Sequence, residues 1–161
     1  MGMHVLHDKQ KGLLTLDARR HVYFFIDHLG LDPKPEISVS TPLYPHEVYS
    51  KANSPPEINI HLKDKVWRVH GKLILLAIWA RLDLVDSVSM LGTYVHNTSE
   101  KLWNAYSKIV TYLLKTRDYR LTFGTPDIEL MDLKFYGHSD SDWGGSIDDR
   151  KSTGAYISSF C

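Results

Sequence analysis

Six of the seven prolines in this 161-residue chain fall between Asp32 and Pro56. Proline lacks the backbone donor that helices and ladders use, and it biases the residue before it toward extended geometry, so this stretch cannot be regular secondary structure. It is read as a linker or a loop laid over a surface, and it divides the chain into an opening unit (1–30), the proline-rich segment (31–63), a helical region (64–124) and a closing region of strands (125–161).

In the opening unit, Met3–Leu6 and Leu13–Leu16 are short apolar runs around a polar turn closed by Gly12, which predicts a hairpin. Asp17 offers a helix cap, and Val22, Phe25, Ile26 and Leu29 follow at helical spacing up to Gly30, a candidate C-cap. After the prolines a helical pattern starts at Val66. Leu73–Ala80 is apolar nearly all round and predicts burial on several sides, until Arg81 breaks the run. Leu84, Val88, Leu91 and Val95 share one face of a third helix ending near His96 and Asn97. A fourth is capped by Asn97 or Thr98, with Leu102, Ala105, Tyr106, Ile109 and Leu113 toward the core. Its other side carries Lys101, Asn104, Lys108, Thr111 and Lys115. Beyond Arg117 come extended runs at Tyr119–Phe123, Leu130–His138 and Ala155–Phe160. The fold class is therefore α+β, ending in an incomplete mixed sheet.

Lysine plus arginine balance aspartate plus glutamate at 19 each, so nucleic acid can be attracted only by a local patch. The candidate is the stripe Lys101, Lys108 and Lys115, continued by Arg117 and Arg120, against which stands a plain solubilising face. Asp140 and Asp142 would share one face of a strand and approach a single magnesium ion; the bland reading is a solvated strand end. Nine histidines show no zinc-ligand spacing, Gly144–Gly145 lacks the rest of a nucleotide loop, and His138 beside Ser139 does not make a nucleophile and base. No apolar run reaches the roughly 18 residues of a membrane span. The lone cysteine, Cys161, fits a reducing compartment, so an intracellular setting, cytoplasm or nucleus, is expected.

The run Gly137–Tyr156, GHSDSDWGGSIDDRKSTGAY, resembles the start of the ribonuclease H domain of copia-type LTR retrotransposon Pol polyproteins, whose pattern is close to Y-S-D-A-D-W-A-G-D, a spacer, then D-R-K-S-T-S-G-Y. Asn97–Leu121, NTSEKLWNAYSKIVTYLLKTRDYRL, is similar to that family's N-P-T-E-x-H-W-x-A-x-K-R-I-L-R-Y-L-K-G-T-x-D-Y-G-L. Gly71–Leu84 matches G-[SK]-L-x-Y-L-x-x-T-R-P-D-I more loosely, and Lys34, Pro35 and Val39–Leu43 resemble K-P-V-x-T-P-L.

The resemblance covers essentially the whole chain. It implies the end of a reverse transcriptase palm, the thumb and connection helices, and the first strands of ribonuclease H. It also implies that the polymerase aspartates precede this chain and that the later carboxylates of a two-magnesium ribonuclease H site follow it. Asp140 matches the first of those carboxylates, so neither polymerisation nor hydrolysis is expected of the chain alone. What remains is at most binding of RNA/DNA hybrid or single-stranded nucleic acid through Lys101, Lys108, Lys115 and Arg117, with Arg150 and Lys151 secondary. The rival is a host-adopted module for protein interaction, and a third prospect is self-association through an open sheet edge. Departures from the pattern include Ala80 and Leu82 where threonine and proline stand, Leu114 and Lys115 for lysine and glycine, Ser146 for an acid, and Gly154–Ala155 for serine and glycine. One extra residue between Leu73 and Arg81 would turn the following helix by about 100°.

Overall fold

A computed structural model describes residues 3–28, 31, 33–34, 38–43, 47–53, 59–124 and 134–160. The opening hairpin forms as read, with β1 (His4–Asp8) antiparallel to β2 (Leu13–Asp17). The Asp8 carboxylate accepts from the amides of Gln10 and Lys11, and Gly12 takes a positive φ of 63° to turn the chain back. Helix α1 (Arg19–His28) follows, its first amide donating to the Asp17 carboxylate at 3.0 Å. The expected cap at Gly30, Leu29 and the side chains of Phe25 and Ile26 lie outside the described residues.

The described parts of the proline-rich segment hold a 3-10 turn, Lys51–Asn53, and its last four residues, 60–63, are already helical. It behaves as a strap: Leu31, Leu43 and Tyr49 are buried in the core, and the Lys34 amide donates to the Thr111 hydroxyl. Helix α2 (Ile60–Trp79) starts ahead of Val66, because the Asn59 side chain accepts from the Leu62 amide and caps a first turn with no apolar periodicity to announce it.

Leu73, Leu76, Ala77 and Ala80 are buried, but Ile74, Leu75, Ile78 and Trp79 are exposed. The expectation of burial on several sides is thus corrected: α3 and α4 pack against one side of α2, and no described element covers the other. After Ala80 a 3-10 turn (Leu82–Leu84) runs into α3 (Val85–Gly92), which ends before Val95, although Leu84, Val88, Leu91 and Val95 are all buried as their spacing required. Helix α4 (Glu100–Lys115) is capped by Ser99, one residue beyond the candidates Asn97 and Thr98. The Thr98 hydroxyl donates instead to the Val95 carbonyl.

The closing strands divide between two sheets. β3 (Leu121–Phe123) returns to the hairpin and pairs with β2, making a sheet of order β1-β2-β3. Gly124, at φ 96°, passes so close to the Gly12 carbonyl that an added Cβ would collide with it. Among the described residues β4 (Phe135–Ser141) pairs only with β5 (Gly154–Phe160), and residues 130–133 of the expected strand lie outside them. Every described pairing is antiparallel, which corrects the mixed sheet expected for the closing region. A parallel neighbour needs a long crossover, whereas the residues between β4 and β5 form a loop that reverses the chain.

The hydrophobic core lies between Ala18 and Leu113, and β4 and β5 contribute no buried residue to it.

Candidate nucleic-acid and metal site

The lysine stripe starts from the amphipathic pattern of α4, and the strap modifies it. Lys101 is exposed, but its ammonium donates to the Val48 carbonyl at 2.5 Å and lies 5.0 Å from the Tyr49 ring centroid. Lys108 is half-buried; burial pulls its pKa below the ordinary lysine value, against the opposing charge of Glu47. Thr111, placed on the solvent side by sequence, is buried and bonded on both sides, donating to the Ser107 carbonyl and accepting from Lys34. The face is therefore not a uniform solvent-facing stripe, because the strap occupies part of it. Lys115 and Arg117 at the far end are exposed, and Arg117 makes a long ion pair, 3.9 Å, with Asp118.

Arg150 and Lys151 lie in the β4–β5 loop. Arg150 has a positive φ of 56° and its N–H donates to the Ser146 carbonyl at 2.9 Å, while Lys151 is paired with Asp149 at 2.9 Å. This loop docks on the strap, where the Asp148 carboxylate accepts from the Ser50 hydroxyl at 2.6 Å and the Lys51 amide at 3.0 Å. Those donors hold the Asp148 carboxyl below the ordinary carboxylate range. The strap residues Val48–Lys51 thus touch both Lys101 and the loop.

The two carboxylates diverge. Asp140, near the end of β4, turns an oxygen onto the Ser141 amide and borders a shallow depression with Ser139, Gly154 and Tyr156. Asp142 is just past the strand, and its carboxylate accepts from the Thr153 amide at 2.7 Å and closes over Gly145. It borders a different opening, a cleft of about 490 Å³ between α3 and the loop, with Asp86, Met90, Asp148 and Asp149. The same-face placement holds only for a continuing strand, and the chain leaves the strand before Asp142. Among the described residues no three His, Cys, Asp or Glu side chains converge as a metal site would require. The residues present therefore do not fit a two-magnesium centre.

A cluster the sequence did not reveal sits at the helix break. Arg81 is only 2% exposed, its guanidinium donating to both Asp83 oxygens at 2.9 and 2.7 Å and to the Thr116 hydroxyl and carbonyl at 2.6 and 3.1 Å. The Tyr112 hydroxyl completes Asp83 at 2.9 Å, and Tyr112 and Tyr119 offer ring faces to the cation. This planar fork joins the end of α2 to the end of α4. It fixes the break that Leu82, standing for proline, leaves free. The Arg-x-Asp spacing within the family-like run was the available signal.

Comparison with known proteins then bears on what the chain is. Over 166 aligned positions, spanning 99% of the chain, it is 27% identical to the retrovirus-related Pol polyprotein from transposon TNT 1-94 of Nicotiana tabacum. Over 87 positions it is 34% identical to the retrovirus-related Pol polyprotein from transposon RE2 of Arabidopsis thaliana. The chain is thus similar to parts of retrotransposon Pol polyproteins. It spans 12% of the first relative's length and 6% of the second's. It is also 30% identical over 87 positions, 54% of its length, to the secreted RxLR effector protein 161 of Plasmopara viticola, of which it spans 58%. No protein-family model matches it, and no solved structure does. Among the described residues no helix is long and apolar enough to cross a membrane.

Proposed function

We propose that the chain is a copia-type piece of Pol, running from the end of the reverse transcriptase palm through thumb and connection helices into the start of ribonuclease H. It binds RNA/DNA hybrid or single-stranded nucleic acid without cleaving it, in the cytoplasm or nucleus. The observation that carries this reading is the alignment to a Pol polyprotein over 99% of the chain. The cationic end of α4 supports it, Lys115 and Arg117 both being exposed there. Magnesium belongs to the parent family's chemistry; with Asp140 and Asp142 on separate openings, no hydrolytic step is assigned to this chain.

The test is titration of a labelled RNA/DNA hybrid at low and physiological salt. Phosphate contacts release counterions, so binding should weaken steeply with salt, and Arg117→Glu should lower affinity and flatten that slope by roughly one unit. A folded chain that leaves the hybrid unbound at low salt would refute the reading. It would favour the second one, a module serving a protein partner, which draws on the relative named an effector and on the uncovered face of α2.

A further inference from the structure

We propose that a second copy of this chain pairs with the outer edge of β5, antiparallel, about a two-fold axis at Ile157, joining the two β4–β5 ribbons into one four-stranded sheet. The Asp142 amide donates to the Thr153 carbonyl at 3.0 Å, one of the two bonds of a hydrogen-bonded pair in line with the ladder of β4 and β5, while the Thr153 amide turns to the Asp142 carboxylate. Hydrogen-bonded pairs alternate along an antiparallel ladder, so Ala155, Ile157 and Ser159 turn their backbone groups toward β4. Gly154, Tyr156, Ser158 and Phe160 turn theirs outward, where no described strand meets them.

The side chains come next. β5 reads GAYISSF, with no charge and no proline, the two devices by which sheet edges are kept from pairing. All seven of its residues are exposed, Tyr156 at 87% and Phe160 at 72%, and a two-stranded ribbon is marginal by itself in water.

The strand is complementary to itself in register. With Ile157 facing Ile157 of the other copy, Gly154 stands opposite Phe160 and Tyr156 opposite Ser158. All four are outward-turned residues, so the free donors of each copy meet the free acceptors of the other. On one face the Phe160 ring covers the bare backbone of Gly154, the arrangement by which an aromatic shields a strand glycine, and Tyr156 packs beside Ser158. On the opposite face the two Ile157 side chains touch across a non-hydrogen-bonded pair, where Cα atoms approach to about 4.5 Å. Shifting the register by one residue would set inward-turned groups against outward-turned ones. An edge contact of this length buries less than the roughly 1,200 Å² of tight complexes, so the dimer is reversible and depends on concentration.

Sedimentation of the full chain over a range of concentrations reads the pairing directly, and the mass should double as concentration rises. Ser158→Pro, which removes an outward donor, and Tyr156→Lys, which places a charge on the edge, should both remain monomeric with unchanged circular dichroism and thermal unfolding. A disulfide trap reads the register. In a Cys161→Ser background, Ile157→Cys should become a covalent dimer with oxidised glutathione, and Ala155→Cys should stay monomeric. A wild-type chain that remains monomeric would overturn the proposal and leave the edge to a further strand of a longer polypeptide. Dimers that persist in both edge variants, or that trap equally well at Ala155, would overturn it too and move the contact elsewhere, the exposed face of α2 included.

Discussion

Arg81 shows how much a single buried cation can organise. Asp83 would be raised by its own burial, but the hydrogen bonds and charge of Arg81 and the Tyr112 hydroxyl overcome this and hold it below the ordinary carboxylate value. Asp83→Asn keeps the shape and removes the counter-charge, leaving the guanidinium buried among neutral groups. The expected loss is roughly 3 kcal/mol of unfolding free energy, read from urea titration. The buried pair of His70 and Tyr106, bonded at 2.9 Å, sits at a similar crossing between α2 and α4. Tyr106→Phe strands the His70 ring nitrogen and should cost about 1–3 kcal/mol in the same assay. Neither cluster was legible in the sequence, because arginine and histidine ordinarily seek water and only the packing of two helix ends decides otherwise. Asp140 was legible as a carboxylate near a strand end; its separation from Asp142 was not, since that depends on where the strand stops.

Among the elements, α4 was the easiest to read. Its expected core positions Leu102, Ala105, Tyr106, Ile109 and Leu113 recur at helical spacing and all five are buried, while its solvent side was misjudged at Thr111 because nothing in the pattern reports what the strap will cover. α2 was harder. Its first turn depends on the Asn59 cap, and its apolar C-terminal half has only one covered side. Gly71 stands in the middle of that helix with nothing within 4 Å of where a Cβ would be. Gly71→Ala should therefore stabilise the chain by about 1 kcal/mol, through backbone freedom the unfolded chain loses. Gly92→Ala in α3 should do the opposite, since its Cβ would meet the His70 ring at 3.0 Å. Paired thermal melts of the two variants check both signs. β3 could be read as a strand but not assigned to a sheet: three residues carry too little pattern to choose between the hairpin and the strands that follow.

At the scale of the whole molecule, the titratable groups set a direction with pH. Burial lowers both His21 and His70 from the ordinary 6.5, with Lys72 adding to the effect at His21, so both stay neutral in the folded chain where the unfolded chain would take up protons. The unfolded state then binds more protons as pH falls below about 6.5, and stability should decline over that range. Further loss should begin near pH 4. Asp17, held low chiefly by its hydrogen bonds from Arg19 against its own burial, and Asp83 both have folded values below the ordinary 3.8, and their contribution vanishes as pH falls through those values. Urea midpoints from pH 8 to pH 3 should trace this two-stage fall, and a flat profile above pH 5 would show that the histidines do not contribute.

The ribbon of β4 and β5 adds nothing to the buried core and leans on it through Asp148, Ser50 and Lys51. Its amides should exchange with deuterated solvent long before those of α4, through local openings that leave the helices intact. Where two ribbons join, the outward amides of Tyr156 and Ser158 would slow as protein concentration rises, while those of α4 keep the same pace.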